Sequence, residues 1–353
     1  MKAAGENISA FNFGKQRLIK TSDEDPGQWM ITLEITKLQE ENTGFIDITD
    51  VPFPISSLAD APVPPPLPDQ PQQKQLVQSL NAQLSTTSFR VNAEQLSSYY
   101  TRYYTTQSGV QAAEWIYDTL NSYKGDRTDI EVQFYNNTWV QPSVIARFPG
   151  TVSTDVVILG CHLDSVHLGS IGRAPGVDDD GSGVVTHLDI FRVLASNNFK
   201  PNRTLEIHFY SAEEAGLLGS REISQSYLTQ SKNVVGMLQL DMTFFHNTSN
   251  VIGLVTDHVS ADLTSFVRLL VDAYSILDWQ NTLCGYSCSD HASWSEAGYR
   301  SAFPFESIFE DRDPYIHSTK DTLANADLDH GLEFAKVALG FAIELSATVY
   351  TTQ

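Results

Sequence analysis

The chain has few cysteines, few cationic residues and no long apolar run. Its 353 residues include 3 cysteines, and 22 lysines and arginines stand against 43 aspartates and glutamates, for a formal net charge of −21. Such an acidic chain repels nucleic-acid phosphates, so we exclude nucleic acid as a partner. No run of 18 apolar residues occurs, so the sequence predicts no membrane-spanning helix and no membrane partner.

The amino terminus lacks the apolar core of a signal peptide, since it reads MKAAGENISA. Four Asn-X-Ser/Thr sequons nevertheless predict glycosylation, at Asn7, Asn136, Asn202 and Asn247. We therefore expect a secreted, extracellular protein whose leader has been replaced here by a starting methionine. A native precursor that begins with this same Met1 and no leader would contradict that expectation.

Three segments have the pattern of an apolar strand that ends in polar residues. They are VVILGCHLD (156–164), LEIHFYSAEE (205–214) and VVGMLQLD (234–241). The carboxyl ends of parallel strands meet at one edge of an α/β sheet, where ligands collect in a crevice. The sequence therefore predicts one site that contains His162, Glu214 and Asp241.

Two more segments supply side chains of the same kinds. APGVDDDGSG (174–183) puts Asp178 in a glycine-flanked turn before a predicted helix, and YIHSTKDT puts His317 in a loop before the last helix. Each feature alone is typical of ordinary turns and helix starts. Together, two imidazoles and three carboxylates are ligands that zinc accepts. One carboxylate shared by two ions would give an ion pair about 3.5–4 Å apart.

The ordered motifs GCHLDS, APGVDDDGSG, SAEEAGLLGS, LDM and IHSTKDT resemble those of the M28 family of dizinc aminopeptidases. The resemblance extends to secreted fungal leucine aminopeptidases and to bacterial relatives from Vibrio, and it covers about residue 85 to the C-terminus. It implies an α/β fold with a mixed, centrally parallel sheet between helices. It also implies a metallo-aminopeptidase with two Zn²⁺ per chain that acts on peptides with a free amino terminus.

The resemblance further implies the role of each ligand. Asp178 would bridge two zinc ions. One ion would also be held by His162 and Asp241, and the other by Glu214 and His317. The second ion would also bind the α-amine of the substrate, which limits cleavage to the amino terminus.

Two residues match catalytic positions of the family, and a third, Asp164, lies two residues after His162 and should share its face of the strand. Glu213 matches the general base, which would take a proton from water that zinc acidifies toward a pKa of about 7. Asp164 would accept the second N–H of the His162 ring and orient it. Tyr286 matches a tyrosine near the carbonyl oxygen. Asp179 and Asp180 stay open, either as groups that support the ligands or as turn formers.

The family motifs also imply an apolar pocket for the first side chain of the substrate. Its walls would be Met242, Phe303, Phe305, Phe309 and Ile316. Such a pocket favours Leu, Phe or Met. It discriminates poorly among them, because one methylene contributes only about 1–3 kcal/mol. Ordinary core packing is the alternative explanation for these five side chains.

The cysteines have more than one interpretation. The resemblance implies a small disulfide loop between Cys284 and Cys288, in CGYSCSDH. Free thiols or a zinc knuckle are the alternatives, although a knuckle requires a second ligand pair. A disulfide agrees with an oxidising compartment. Cys161 is interpreted as a small buried side chain or as a weak third ligand.

The first 75 residues differ in composition from residues 76–353, the predicted catalytic domain. Eight of the fifteen prolines fall between Pro52 and Pro71, which predicts an extended linker. The region resembles the propeptide of the fungal enzymes, including the stretch FIDITD. We expect an inhibitory prosegment, removed by an activating protease, whose residues 45–68 cross the cleft. A disordered extension without effect on activity is the alternative.

The remaining predictions concern secondary structure and rival functions. Hydrophobic periodicity predicts helices over 93–104, 109–123 and 331–350, and a hairpin from IEVQFYNNTW and PSVIARFPG. Asp321 is interpreted as a loop or capping residue. The rival functions are a carboxypeptidase-type zinc hydrolase, a one-zinc glutaminyl cyclase, and a binding module without catalysis, which the complete ligand set disfavours.

Overall fold

The structure is a computed structural model that describes residues 16–41, 43–50, 62–167 and 172–347. The predicted glycosylation site Asn7 and residues 51–61 of the predicted cleft-crossing segment lie outside the described residues.

The strands are rich in β-branched and aromatic residues, which pack well on a pleated surface. They are β1 (Arg17–Lys20), β2 (Gln28–Met30), β3 (Ile46–Asp47), β4 (Glu131–Tyr135), β5 (Ser143–Phe148), β6 (Ser153–His162), β7 (Arg203–Tyr210), β8 (Val234–Gln239), β9 (Ile252–Val255), β10 (Trp279–Thr282), β11 (Ser301–Ala302) and β12 (Pro304–Phe305).

The helices lie between and around these strands. They are α1 (Thr32–Glu40), α2 (Lys74–Asn81), α3 (Thr86–Leu96), α4 (Gln107–Lys124), α5 (Gly181–Ser196), α6 (Leu218–Thr229), α7 (Ala261–Tyr274), α8 (His291–Glu296) and α9 (Leu328–Ala347), with a 3-10 turn over Phe309–Asp311. None of the helices in the described ranges is long and apolar enough to cross a membrane.

The main sheet has six strands in the order β11-β8-β6-β7-β5-β4. The first four are parallel, and β5 and β4 pair antiparallel. This confirms the predicted mixed, centrally parallel sheet and the predicted hairpin. Gly160 on β6 pairs with both His208 on β7 and Gln239 on β8. The three strands therefore end at the same edge, and the polar residues that follow them meet there.

Helices cover both faces of this sheet. Side chains of β6 alternate between faces, as strand geometry requires. Val157 and Leu159 join a large apolar cluster with α5 and α9, whereas Val156 and Ile158 join a smaller cluster with α6 and α8. Each fully buried apolar side chain contributes about 1.5–3 kcal/mol. Apolar packing on both faces therefore stabilises the sheet whose edge carries the site.

The helix predicted over 93–104 is wrong in its extent. Helix α3 begins earlier, where Ser85 Oγ accepts the N–H of Ser88 as an N-cap, and it ends at Leu96. Residues 97–104 instead form tertiary hydrogen bonds: Arg102 donates to the carbonyls of Leu163 and Pro175. These contacts replace the hydrogen bonds that a longer helix would make. The helices predicted over 109–123 and 331–350 correspond to α4 and α9.

The amino-terminal residues form a small unit of their own, the sheet β2-β1-β3 with helix α1. Its apolar side chains Leu18, Ile46 and Ile48 pack on Leu217 and Ala292 of the main domain. The described part of the proline-rich stretch, residues 62–71, contains neither helix nor strand. The amino-terminal unit therefore lies beside the loop that follows β7.

Candidate metal centre

Two groups of potential metal ligands lie at the carboxyl edge of the main sheet. His162 Nε2 is 3.1 Å from Asp179 Oδ1 and 3.5 Å from Asp241 Oδ1. His317 Nε2 is 3.0 Å from both Asp179 Oδ2 and Glu214 Oε2. Within each group the ligand atoms lie within 4.8 Å of one another. Asp179 belongs to both groups and presents one oxygen to each.

The shared residue differs from the sequence prediction, which was Asp178. The Asp178 side chain turns away from the centre, and its Oδ1 accepts the backbone N–H groups of Thr243 at 3.0 Å and Phe244 at 2.8 Å. These hydrogen bonds fasten the aspartate turn to the loop that follows Asp241. The sequence presents three consecutive aspartates, and its spacing does not distinguish which one faces the ligands. Asp179 replaces Asp178 as the candidate bridging residue.

Asp180 supports the centre from behind. Its Oδ2 accepts the backbone N–H of His162 at 2.9 Å, and its Oδ1 accepts that of Gly183 at 2.8 Å, where α5 begins. Asp180 thus joins the end of β6 to the start of α5. Both interpretations left open therefore describe Asp180, which supports His162 and caps α5.

Asp164 accepts two hydrogen bonds that were not predicted, and its contact with His162 is longer than the predicted hydrogen bond. Its Oδ1 lies 3.5 Å from Nδ1 of His162, which is longer than a hydrogen bond. Its two oxygens also accept the backbone N–H groups of Glu213 at 3.1 Å and Glu214 at 3.2 Å. Asp164 therefore positions the glutamate pair as well as facing His162.

The charges at the centre fit a bound cation. Asp241 Oδ1 and Glu214 Oε1 are buried and have no hydrogen-bond partner within the described residues, and buried oxygens without partners are rare in proteins. Burial and the nearby charge of Asp179 raise the pKa of Glu214 to about 7. Burial also raises the pKa of Asp179, but His162 and His317 outweigh it and lower that pKa. Imidazole nitrogens with carboxylate oxygens are a zinc-type donor set.

A cavity opens onto the ligand groups, and Glu213 and Tyr286 line it. Burial raises the pKa of the Glu213 carboxyl well above its usual range. The predicted pocket residues lie together in one apolar cluster that lines the same cavity: Met242, Phe303, Phe305, Phe309 and Ile316. Arg312 also lines the cavity, with its guanidinium 4.5 Å from the centre of the Phe309 ring.

The amino-terminal unit covers this cavity. Gln39, Thr43, Gly44 and Phe45 are among its lining residues. Gln39 Nε2 donates to the carbonyl of Glu214 at 3.0 Å. The contact therefore begins at Gln39, earlier than the predicted range of 45–68.

Two further hydrogen bonds attach residues of the predicted range to the main domain. The Asp47 N–H donates to the carbonyl of Gly216 at 3.2 Å. Farther along the chain, the carbonyl of Pro65 accepts from Arg300 at 2.7 Å.

The structure confirms the disulfide between Cys284 and Cys288. The loop that it closes carries Tyr286. Asp257 fastens this loop by accepting the N–H groups of Cys284 and Gly285 at 3.1 and 2.7 Å. Cys161 is buried, its sulfur lies 3.7 Å from the His208 carbonyl, and it belongs to neither ligand group. This agrees with its interpretation as a small buried side chain.

The three described sequons differ in accessibility. Asn136 and Asn247 are exposed. Asn202 is half-buried, and its Nδ2 donates to the carbonyl of Ala347 at 2.5 Å. A glycan at Asn202 would have to displace this contact with the end of α9.

Sequence reasoning missed several supporting residues. Ser289 Oγ donates to Asp241 Oδ2 at 2.6 Å, and Gln239 bridges Ser289 and Asp290. The buried guanidinium of Arg102 donates to three backbone carbonyls in the loops that flank the ligands. Ser289 lies directly after Cys288 in the family motif CGYSCSDH, so its position in the sequence could have indicated its role. We find no sequence signal for Arg102.

Comparison with known proteins agrees with this geometry. The model of Peptidase family M28 matches residues 143–342. Leucine aminopeptidase 1 of Fusarium vanettenii is 39% identical over 345 residues, which cover 93% of this chain and 87% of the relative. Leucine aminopeptidase 1 of Trichoderma harzianum is 40% identical over 337 residues, which cover 90% and 84%.

A solved structure is similar over the same extent. The LapA aminopeptidase of Legionella pneumophila superposes with a TM-score of 0.83 at 27% identity, covering 94% of this chain and 95% of that chain. The residues that the family model matches include every member of the two ligand groups. This chain therefore belongs to peptidase family M28.

Proposed function

We propose that this M28 peptidase is a secreted two-zinc aminopeptidase that removes an apolar amino-terminal residue from peptides. It is latent while its amino-terminal segment remains attached. The observation that carries the proposal is the carboxylate of Asp179, which presents one oxygen to each of two ligand groups. The names and the similarity of the fungal relatives support aminopeptidase activity.

His162, Asp179 and Asp241 would hold one zinc ion, and Asp179, Glu214 and His317 the other. Zinc bound there supplies a Lewis acid that polarises a carbonyl and acidifies water. Glu213 lies in the same cavity but outside both ligand groups, so its carboxylate is free to take the proton from the attacking water. The protonated Glu213 then returns the proton to the leaving amine. Tyr286 lines the cavity where its hydroxyl can donate to the carbonyl oxygen.

The apolar cluster beside the ligand groups is the proposed pocket for the first residue of the substrate. Phe305 packs 5.7 Å from Phe303 and 5.4 Å from Phe309, measured between ring centres. Such a surface accepts Leu, Phe or Met and disfavours a charged side chain, which would lose its hydration without gaining a partner.

Residues 1–75 are the proposed inhibitory prosegment, and an external protease would activate the enzyme by removing them. Gln39 and Gly44 support this proposal, because they line the cavity that the substrate must enter. Separation from the domain at residues 76–353 would uncover that cavity. The disulfide and the sequons support secretion.

One observation favours a rival function. A carboxypeptidase-type hydrolase needs a cation for the carboxylate of its substrate, and Arg312 lines the cavity. A glutaminyl cyclase would instead need only one zinc ion. Substrates with a blocked amino terminus or a blocked carboxyl terminus distinguish these reactions.

The test is release of p-nitroaniline from leucine-p-nitroanilide before and after limited proteolysis. N-acetyl-leucine-p-nitroanilide and a chelator serve as controls. We expect activity that rises on clipping, requires the free amine and disappears with the chelator. Activity on the acetylated substrate would contradict an aminopeptidase, and equal activity before and after removal of the prosegment would contradict latency.

A further inference from the structure

We infer that Asp321 is a positioning residue of the metal centre, which fastens the loop that carries His317 to the turn that carries Asp179. The inference rests on the proposed two-zinc centre. From the sequence, Asp321 is interpreted only as a loop or capping residue. In the structure its carboxylate contacts the turn that carries Asp179.

Asp321 is 2% exposed, and its carboxylate spans two successive backbone N–H groups. Its Oδ1 accepts from Asp178 at 2.8 Å, and its Oδ2 accepts from Asp179 at 3.1 Å. The turn that presents Asp179 to both ligand groups is therefore held by a residue 142 positions farther along the chain.

Asp321 lies in the same short loop as His317, four residues farther along the chain. The Asp321 N–H donates to the carbonyl of Ser318 at 3.4 Å, and Ser318 Oγ donates to the carbonyl of Tyr315 at 2.7 Å. His317 has a φ of 56°, in the left-handed region. Such a conformation costs about 1–3 kcal/mol in a residue other than glycine and persists only where the surrounding structure imposes it. The compact turn closed by Asp321 supplies that constraint.

The two segments that Asp321 joins carry two of the three members of one ligand group. Asp179 and His317 belong to that group together with Glu214. The other group contains Asp179 but not His317. Loss of the Asp321 carboxylate should therefore weaken one ion more than the other. Residues that orient metal ligands typically contribute about 10–100-fold to metal affinity.

The substitution Asp321→Asn tests this inference on the full chain. It replaces one carboxylate oxygen with an NH₂ group that faces a backbone N–H. Glu344→Gln is the matched control, because Glu344 is also a buried carboxylate that accepts two successive N–H groups, from Gln72 at 2.7 Å and Gln73 at 2.8 Å. Glu344 lies on α9, outside the ligand groups and the cavity.

The measurement is zinc titration in competition with a fluorescent chelator, which returns a dissociation constant for each ion. We expect two ions in the wild type and in Glu344→Gln with matching constants, and a weakening of about 10–100-fold in one ion of Asp321→Asn. Unchanged constants in Asp321→Asn would overturn the inference. A wild type that binds fewer than two zinc ions would instead overturn the proposed function.

If Asp321→Asn does not fold, Asp321→Glu takes its place, because it keeps the charge and shifts the two oxygens by one methylene. Weakening of the same single ion is then expected to a smaller degree. Equal weakening of both ions, or of neither, would again overturn the inference.

Discussion

Gly44 of the amino-terminal unit lies against the ring of Tyr286, and both residues line the cavity. A side chain at position 44 would overlap the ring, so only glycine fits this approach. Tyr286 sits in the loop closed by the Cys284–Cys288 disulfide. The covering segment and the proposed carbonyl-binding tyrosine are therefore in direct contact.

The first prediction follows from this contact. Gly44→Leu should displace the segment from the cavity and raise the activity of the uncleaved protein at least about tenfold, which corresponds to about 1.4 kcal/mol of lost docking energy. Activity after proteolytic removal of the segment should equal that of the wild type. The assay is release of p-nitroaniline from leucine-p-nitroanilide.

Glu40→Leu is the matched control, since it adds a leucine at an exposed position of the same unit. It should stay as latent as the wild type. If Gly44→Leu is equally latent, the contact with Tyr286 does not contribute to inhibition.

The second prediction separates proton transfer from metal binding. Glu213→Gln keeps the shape of the side chain but cannot accept a proton, so kcat should fall about 10²–10⁴-fold. Zinc content should not change, because Glu213 belongs to neither ligand group. Glu94→Gln makes the same change at an exposed site on α3 and should leave both quantities unaltered. A large loss of zinc in Glu213→Gln would make Glu213 a ligand and not a base.

The third prediction concerns the shape of the apolar pocket. Phe309→Leu removes part of the wall beside Phe305 and should shift the ratio of kcat/KM towards phenylalanine over leucine p-nitroanilide. The expected shift is about 5–150-fold, the range for a contact of about 1–3 kcal/mol. Phe334→Leu, in the buried core on α9, should lower stability without changing this ratio. An unchanged ratio in Phe309→Leu would indicate that Phe309 only packs the core.

The fourth prediction concerns stability in acid. Burial, with a smaller contribution from His208, lowers the pKa of His187 to about 3. In the unfolded chain His187 binds a proton near pH 6.5. The contribution of the buried neutral His187 to stability is therefore fully present above that pH and is lost as pH falls towards 3. His187→Leu removes this loss. The difference in free energy of unfolding between His187→Leu and the wild type should therefore change by about 1–2 kcal/mol in favour of the variant as pH falls from 6.5 to 5.

Urea denaturation with a chelator throughout measures this difference without interference from metal release. A packing effect of the leucine would be the same at every pH. A difference that does not change with pH would therefore contradict a buried neutral histidine at position 187.

The sequence predicted the fold most accurately where one pattern determines the structure, namely an apolar strand that ends in polar residues. The apolar runs of β6, β7 and β8 and the polar residues that end them specified the sheet edge and three of the five proposed ligands, and the loop YIHSTKDT supplied a fourth, His317. The extent of α3 was wrong because residues 97–104 are held by hydrogen bonds of Arg102 to loops distant in sequence. No local pattern carries that information.

The choice between Asp178 and Asp179 was wrong for a different reason. Both are buried aspartates in one turn, so neither residue type nor burial distinguishes them. What separates them is the direction of each side chain, which the loop after Asp241 and the carboxylate of Asp321 impose. Gln39 and Gly44 line the cavity although they precede the predicted range of 45–68, and this placement likewise depends on tertiary packing.

The most direct test of the two-zinc account is the zinc content per chain of the wild type, Asp179→Asn and Asp178→Asn, measured by native mass spectrometry after gel filtration. Asp179 presents an oxygen to both ligand groups, so Asp179→Asn should retain at most one zinc ion. The wild type should carry two. Asp178→Asn keeps an acceptor oxygen for Thr243 and Phe244 and should also carry two. Loss of zinc from Asp178→Asn with two ions kept in Asp179→Asn would contradict the account.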